Sequence, residues 1–211
     1  PEHDFPQPRW QGEQLPGQTL LLHAEQGYGD TLQMIRYLPR VSERVERLIL
    51  WAPEPLVPLL QTMPEIDEVV SRKTDALSYD VHLPLMSLPG IFEDSLETIP
   101  KTIPYLGNPT PSAQPPHKVG LAWAGSGSQP LDRRSIPTTD LAPLLDASVE
   151  WHSLQWGQAA PSALQDHSPE LTDFAATAEL IQSLDLVISV DTAVAHLAGA
   201  LGKPVWILLS P

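Results

Sequence analysis

Asp191 and Thr192 follow Val190 at the end of the apolar run Leu186-Val187-Ile188-Ser189, and from Ala193 to Leu201 small and apolar residues repeat at helical spacing. A buried strand that turns straight into a helix presents the helix's unbonded N–H groups and partial positive charge at the strand's end, a setting that suits a phosphate. Ala193, Ala195, Ala198 and Gly199 are small enough to let the helix lie close on a sheet, and His196 stands one turn further in. The same residues also read as an ordinary helix start, with Asp191 as the cap and His196 packed on the helix.

Two further stretches carry comparable chemistry. Ala124-Gly125-Ser126-Gly127-Ser128 follows an apolar run, and Asp132-Arg133-Arg134-Ser135-Ile136-Pro137 comes soon after. Glycine backbone approaches a diphosphate closely, and guanidinium groups bind it in bidentate fashion. Arg133 and Arg134 are two of only 12 Lys and Arg residues. The spacing fits neither a Walker motif nor G-x-G-x-x-G, and a Gly-Ser stretch also serves as a plain turn. The third stretch is His23-Ala24-Glu25-Gln26-Gly27-Tyr28-Gly29-Asp30-Thr31. Asp30 falls at the start of a predicted helix, where a carboxylate either takes a proton from an acceptor hydroxyl or stabilises the helix end by its charge. Gln26, Gly27 and Gly29 form the loop beside it.

Positioning these residues requires strands that alternate with helices, the pattern of parallel sheets with covering helices. Strands are expected at 19–24, 47–51, 69–70, 81–83, 118–123, 150–154, 186–189 and 205–209. Helices are expected at 31–38, stopped by Pro39, and at 54–61, 174–184 and 192–201, the last ended by Gly202 with Pro204 beyond. Prolines 100, 104, 109, 111, 115 and 116 remove backbone donors and stiffen the chain, so this stretch reads as a linker. The expected fold is therefore α/β with two Rossmann-like lobes: 1–108, a proline-rich linker at 109–117, and 118–211. Such lobes commonly hold a ligand in the cleft between them, at the C-terminal ends of their strands. A start at Pro1 and a final strand with no helix after it suggest a piece cut from a longer protein, with the second lobe truncated at its C-terminus.

Composition narrows the classes. A chain of 211 residues, 42% hydrophobic, buries a real core. Its formal charge of −14 and pI near 4.7 argue against nucleic acid and anionic lipid as partners, though not against a local basic pocket. With no cysteine there is no disulfide or thiolate metal site, which fits a reducing cytoplasm. No apolar run is long enough to span a bilayer. The sequence has no His-Glu-x-x-His, no Asp-x-Asp pair for a divalent metal and no Gly-x-Ser-x-Gly elbow. Trp51, Trp123, Trp151, Trp156 and Trp206 lie in or beside predicted strands and are expected in the core rather than on an RNA-stacking surface.

The run from Leu22 to Gln33 resembles the opening of bacterial glycosyltransferases that follow tetratricopeptide repeats and relate to the ADP-heptose:lipopolysaccharide heptosyltransferases of glycosyltransferase family 9. Leu121-Ala122-Trp123-Ala124-Gly125, Arg134-Ser135-Ile136-Pro137, Ser153-Leu154-Gln155 and the segment from Asp185 to Pro204 match the same pattern in the same order. The resemblance implies a glycosyltransferase-B fold, with the acceptor on the first lobe and a nucleotide-sugar on the second, and metal-independent transfer with no cofactor. It makes Asp30 the candidate general base and Gln26, Gly27 and Gly29 an acceptor-side loop. Gly125, Arg133, Arg134, Gln155, Asp191, Thr192 and His196 become the candidate donor-site residues, with Arg134 on the diphosphate and Gln155 near the nucleotide. A protein or glycan is the implied acceptor, and tetratricopeptide repeats are implied N-terminal to the chain. Two other classes remain open: a non-catalytic nucleotide- or partner-binding module, and a two-lobed sugar-nucleotide epimerase, which would need no acceptor.

Overall fold

The computed structural model describes residues 5–71, 77–108, 110–113, 115–125, 133–145 and 148–209. It divides into two compact units, Pro1–Thr102 and Ile103–Pro211. Each contains a four-stranded, all-parallel sheet among the described residues.

In the first unit, β1 (Leu15–His23), β2 (Val45–Trp51), β3 (Glu68–Val70) and β4 (Val81–Pro84) run in the order β3-β2-β1-β4. The continuous apolar stretches belong to the central strands: Leu20, Leu21 and Leu22 of β1 and Leu48, Ile49 and Leu50 of β2 are all buried. A strand covered on both faces has no solvent side and therefore no polar alternation. Helical segments α1 (Tyr28–Met34), α2 (Leu38–Ser42), α3 (Val57–Leu60) and α4 (Leu88–Ile91) follow the strands, with a single 3₁₀ turn, Ile35–Tyr37, joining α1 to α2.

The stop expected at Pro39 does not occur. The helical path resumes at Leu38 with Pro39 in its first turn. A proline in a helix's first turn lacks only an N–H that had no intrahelical acceptor, so it starts a new segment instead of ending the path.

The second unit is built from β5 (Lys118–Ala122), β6 (Glu150–Ser153), β7 (Leu186–Val190) and β8 (Val205–Leu208), in the order β6-β5-β7-β8. Helices α5 (Ala142–Leu145), α6 (Phe174–Ser183) and α7 (Ala193–Ala200) accompany them. Its core brings together Val119, Leu121, Trp123, Trp151, Leu186 and Ile188. Gly120 in β5 keeps the layers close: a Cβ there would meet Leu184 and Leu154 side-chain atoms at 2.5 and 2.6 Å. Helix α7 ends in a full Schellman turn, with Gly202 at φ 73°, its N–H donating to Gly199 and that of Lys203 to Ala198.

Not all the tryptophans are core. Trp123 and Trp151 are buried, Trp51 is partly so, but Trp156 is 69% and Trp206 61% exposed. Trp206 sits on the edge strand β8, and Trp156 lies past the end of β6, where the sheet no longer covers it.

Part of the proline-bearing stretch packs onto the second unit. The N–H groups of Tyr105 and Leu106 donate to the Ala200 carbonyl. Asp185, at the entry to β7, accepts from Ala113, His117 and Lys118 at 2.7, 2.9 and 3.0 Å. These backbone donors favour the charged carboxylate and lower its pKa to about 2. A carboxyl whose pKa falls on folding adds stability that is complete above its unfolded value, near 3.8, and is lost as the pH falls from about 4 to about 2. Asp185→Asn is therefore expected to cost about 1–2 kcal/mol at neutral pH, after allowing for solvent screening. In urea unfolding the gap between variant and wild type should narrow markedly as the pH falls from 4 towards 2; a gap independent of pH would refute the assignment.

Candidate functional site

The candidate residues of the second unit gather at the C-terminal ends of β5, β6 and β7. Gln155 lies two residues beyond β6 and is buried. Its Oε1 accepts the N–H groups of Trp123 and Ala124, just after β5, at 3.1 and 2.9 Å. Two converging N–H donors settle which end of the amide faces them. Gln155 Nε2 donates to the Trp156 carbonyl at 3.3 Å. Gln155 thus ties together the ends of two strands.

The next contacts bring in the arginine segment. The Gly125 N–H donates to Ser135 Oγ at 3.0 Å, and the Ile136 N–H to the Trp123 carbonyl at 2.8 Å. Held there, Arg134 donates from Nη1 to the Asp191 carbonyl at 3.0 Å, across 57 residues of sequence. Gly125 is buried, Arg134 half-buried and Arg133 exposed. Ser126, Gly127, Ser128 and Asp132 lie outside the described residues.

Beyond β7, the helix cap is Thr192 rather than Asp191, which is exposed and precedes it. The Thr192 side chain makes no capping bond to the first turn. Its hydroxyl lies 3.1 Å from Ser189 Oγ. Ser189 spends its single proton on the Val190 carbonyl at 2.7 Å, so Thr192 is the donor of that pair. In the first turn of α7 the Ala195 N–H donates back to the Thr192 carbonyl at 3.0 Å, and the Arg134 guanidinium lies beside the helix start, the end of a helix that suits an anion. His196 is half-buried one turn into the helix.

In the first unit, Gly27 caps α1 and its N–H donates to Asp30 Oδ2 at 2.9 Å, while the Thr31 hydroxyl donates to the Gly27 carbonyl at 3.1 Å. Asp30 thus occupies the third helical position and reaches back to the cap, half of a capping box. Gln26 and Gly27 are exposed, and Gly29 and Asp30 half-buried. Glu25, quoted in the motif but given no role, accepts the N–H groups of Leu85 and Met86, each at 3.1 Å, and so fixes the loop against the end of β4. Ser135 and Ser189 likewise act in the site without a local signal, because their partners are distant in sequence or depend on rotamer.

Residues 169–209 match the model of glycosyltransferase family 9 (heptosyltransferase). That segment holds α6, β7, α7 and β8, and with them Asp191, Thr192 and His196. Protein FlbA of Caulobacter vibrioides is 29% identical across 99% of this chain, which spans 42% of FlbA's length. Among solved structures, the family 9 glycosyltransferase of Veillonella parvula superposes with a TM-score of 0.67 at 9% identity, covering 92% of this chain and 82% of its own. TibC, an iron-containing dodecameric glycosyltransferase from enterotoxigenic E. coli H10407, gives 0.66 at 15% identity, covering 92% and 59%. At such identities the likeness is one of fold: α/β, with two parallel sheets, as in heptosyltransferases of the glycosyltransferase-B type. Among the described residues no group of three or more His, Asp or Glu side chains is placed to hold a metal ion. No described helix is long and apolar enough to cross a membrane.

Proposed function

We propose that this chain carries the donor-side and acceptor-side elements of a glycosyltransferase that moves a hexose- or heptose-type sugar from a nucleoside diphosphate to a protein or glycan acceptor, without a metal. The observation that carries the reading is the Arg134–Asp191 contact, which sets a guanidinium at the uncapped start of α7, inside the segment that matches family 9. In this reading the diphosphate lies on that helix end, with Arg134 as its partner, the Gly125 backbone close by and Arg133, Thr192 and His196 around it. Asp30 takes the proton of the acceptor hydroxyl as the new bond to the sugar's anomeric carbon forms and the bond to the diphosphate breaks. The charge left on the diphosphate is stabilised by Arg134 and the helix dipole. The second unit is thus the nucleotide-sugar lobe and the first the acceptor lobe. Tetratricopeptide repeats ahead of these residues and a cytoplasmic setting belong to the same reading, and rest on the resemblance at residues 22–33.

TibC has been solved with ADP-D-β-D-heptose, so ADP is the first nucleotide to try here. In thermal-shift measurements with ADP, UDP and GDP, one diphosphate should stabilise the chain selectively. Arg134→Ala should weaken it roughly 10- to 100-fold, the worth of a charge-assisted contact. No shift with any of the three would sink the donor-site reading. One observation favours the non-catalytic module instead: the Asp30 carboxylate already serves the Gly27 N–H.

A further inference from the structure

Trp156 combines two properties that rarely coexist: a fixed backbone and a bare indole. Its side chain is 69% exposed. Yet it directly follows the buried Gln155, whose amide is bonded to the backbone after β5 and also to Trp156's own carbonyl at 3.3 Å. Gly157 beyond it turns the chain in the left-handed region at φ 72°, with nothing within 4 Å of where its Cβ would be. A large apolar ring left in water while its main chain is held in place is a standing cost, and a flat ligand would relieve it.

The strand order says which part of a ligand that is. From β7 through β5 to β6 the three C-terminal ends carry, in turn, the α7 start with Arg134, the Gly125 backbone, and Trp156. Neighbouring strands are about 4.8 Å apart, so the outer two ends lie roughly 10 Å from one another. That is comparable with the reach from diphosphate to base in an extended nucleotide. The proposal rests on the donor-site reading above, which places the diphosphate at α7. We propose that Trp156 is the base platform of that site, stacking its indole on the nucleobase of the donor. The half of the donor that the sugar transfer never touches would thus be gripped by a ring face, which favours any planar base and a purine most.

The test is calorimetric titration of the chain with ADP, UDP, GDP and inorganic pyrophosphate, in wild type, Trp156→Ala and Trp156→Phe. Loss of one base–aromatic stack should weaken the preferred nucleoside diphosphate by roughly five- to a hundredfold in Trp156→Ala, with pyrophosphate unchanged and most of the affinity kept in Trp156→Phe. Because the residue is exposed, all three proteins should melt alike. Equal nucleotide affinity in wild type and Trp156→Ala overturns the proposal and leaves the donor site standing. So does a wild type that binds pyrophosphate as tightly as any nucleotide. A wild type that binds neither nucleotide nor pyrophosphate overturns the donor-site reading, and this proposal with it.

Discussion

Asp30→Asn should abolish most sugar transfer while leaving the fold and nucleotide affinity nearly intact. A positioned general base contributes about 10²- to 10⁴-fold, and an amide has no basic lone pair to replace the carboxylate. The amide oxygen still accepts the Gly27 N–H, which the carboxylate accepts at 2.9 Å, so the α1 start survives. What the helix loses is a negative charge in its first turn, worth about 0.3–1 kcal/mol. Asp30→Ala would remove base and cap together, which is why the asparagine variant is the informative one. Transfer measured with the diphosphate-sugar found by thermal shift decides the matter. Undiminished turnover in Asp30→Asn would leave Asp30 as a helix cap alone and remove the acceptor-side half of the reading.

The largest structural effect is expected from Gln155→Ala. Truncation strands the N–H groups of Trp123 and Ala124, both buried, and each unsatisfied buried donor costs about 1–3 kcal/mol. The loss in unfolding free energy should reach about 2–4 kcal/mol, read from the urea midpoint with the slope unchanged. Under conditions where the variant stays folded, nucleotide affinity should fall as well, because the Gly125 backbone is no longer tied to the end of β6. Gln155→Glu keeps an acceptor for both N–H groups and should retain more stability than alanine does. Full stability in Gln155→Ala would mean that water replaces the amide and that the loop is held by Ser135 and Ile136 instead.

Gln155 also marks the limit of what motif reading reveals. The resemblance implies a place near the nucleotide; the structure adds a second task that no motif shows, since its Oε1 accepts from the backbone after β5 and one Nε2 hydrogen goes to the Trp156 carbonyl. Asp191 differs in a similar way. It was read as the possible cap of α7, yet Thr192 takes that position and the Asp191 main chain accepts from Arg134. Trp156 and Trp206 looked like core because they adjoin apolar runs; adjacency in sequence says nothing about whether a strand is central or an edge, or whether it has already ended.

What the sequence determined by itself is the alternation of elements. The runs at Leu20–Leu22, Leu48–Leu50 and Leu186–Ser189 lack any polar alternation, and that local property is enough to predict parallel strands buried on both faces. The helix from Phe174 and the Gly202 stop of α7 were legible for the same reason, since caps and periodicity act within a turn or two. The order β6-β5-β7-β8 was decided only by the tertiary structure, and with it the meeting of Gly125 with Ser135, of Gln155 with Trp123, and of Arg134 with Asp191, contacts spanning 10, 32 and 57 residues. Such pairings depend on which strand lies beside which, and strand order is a property of how whole layers bury their apolar faces against one another, not of any window of residues.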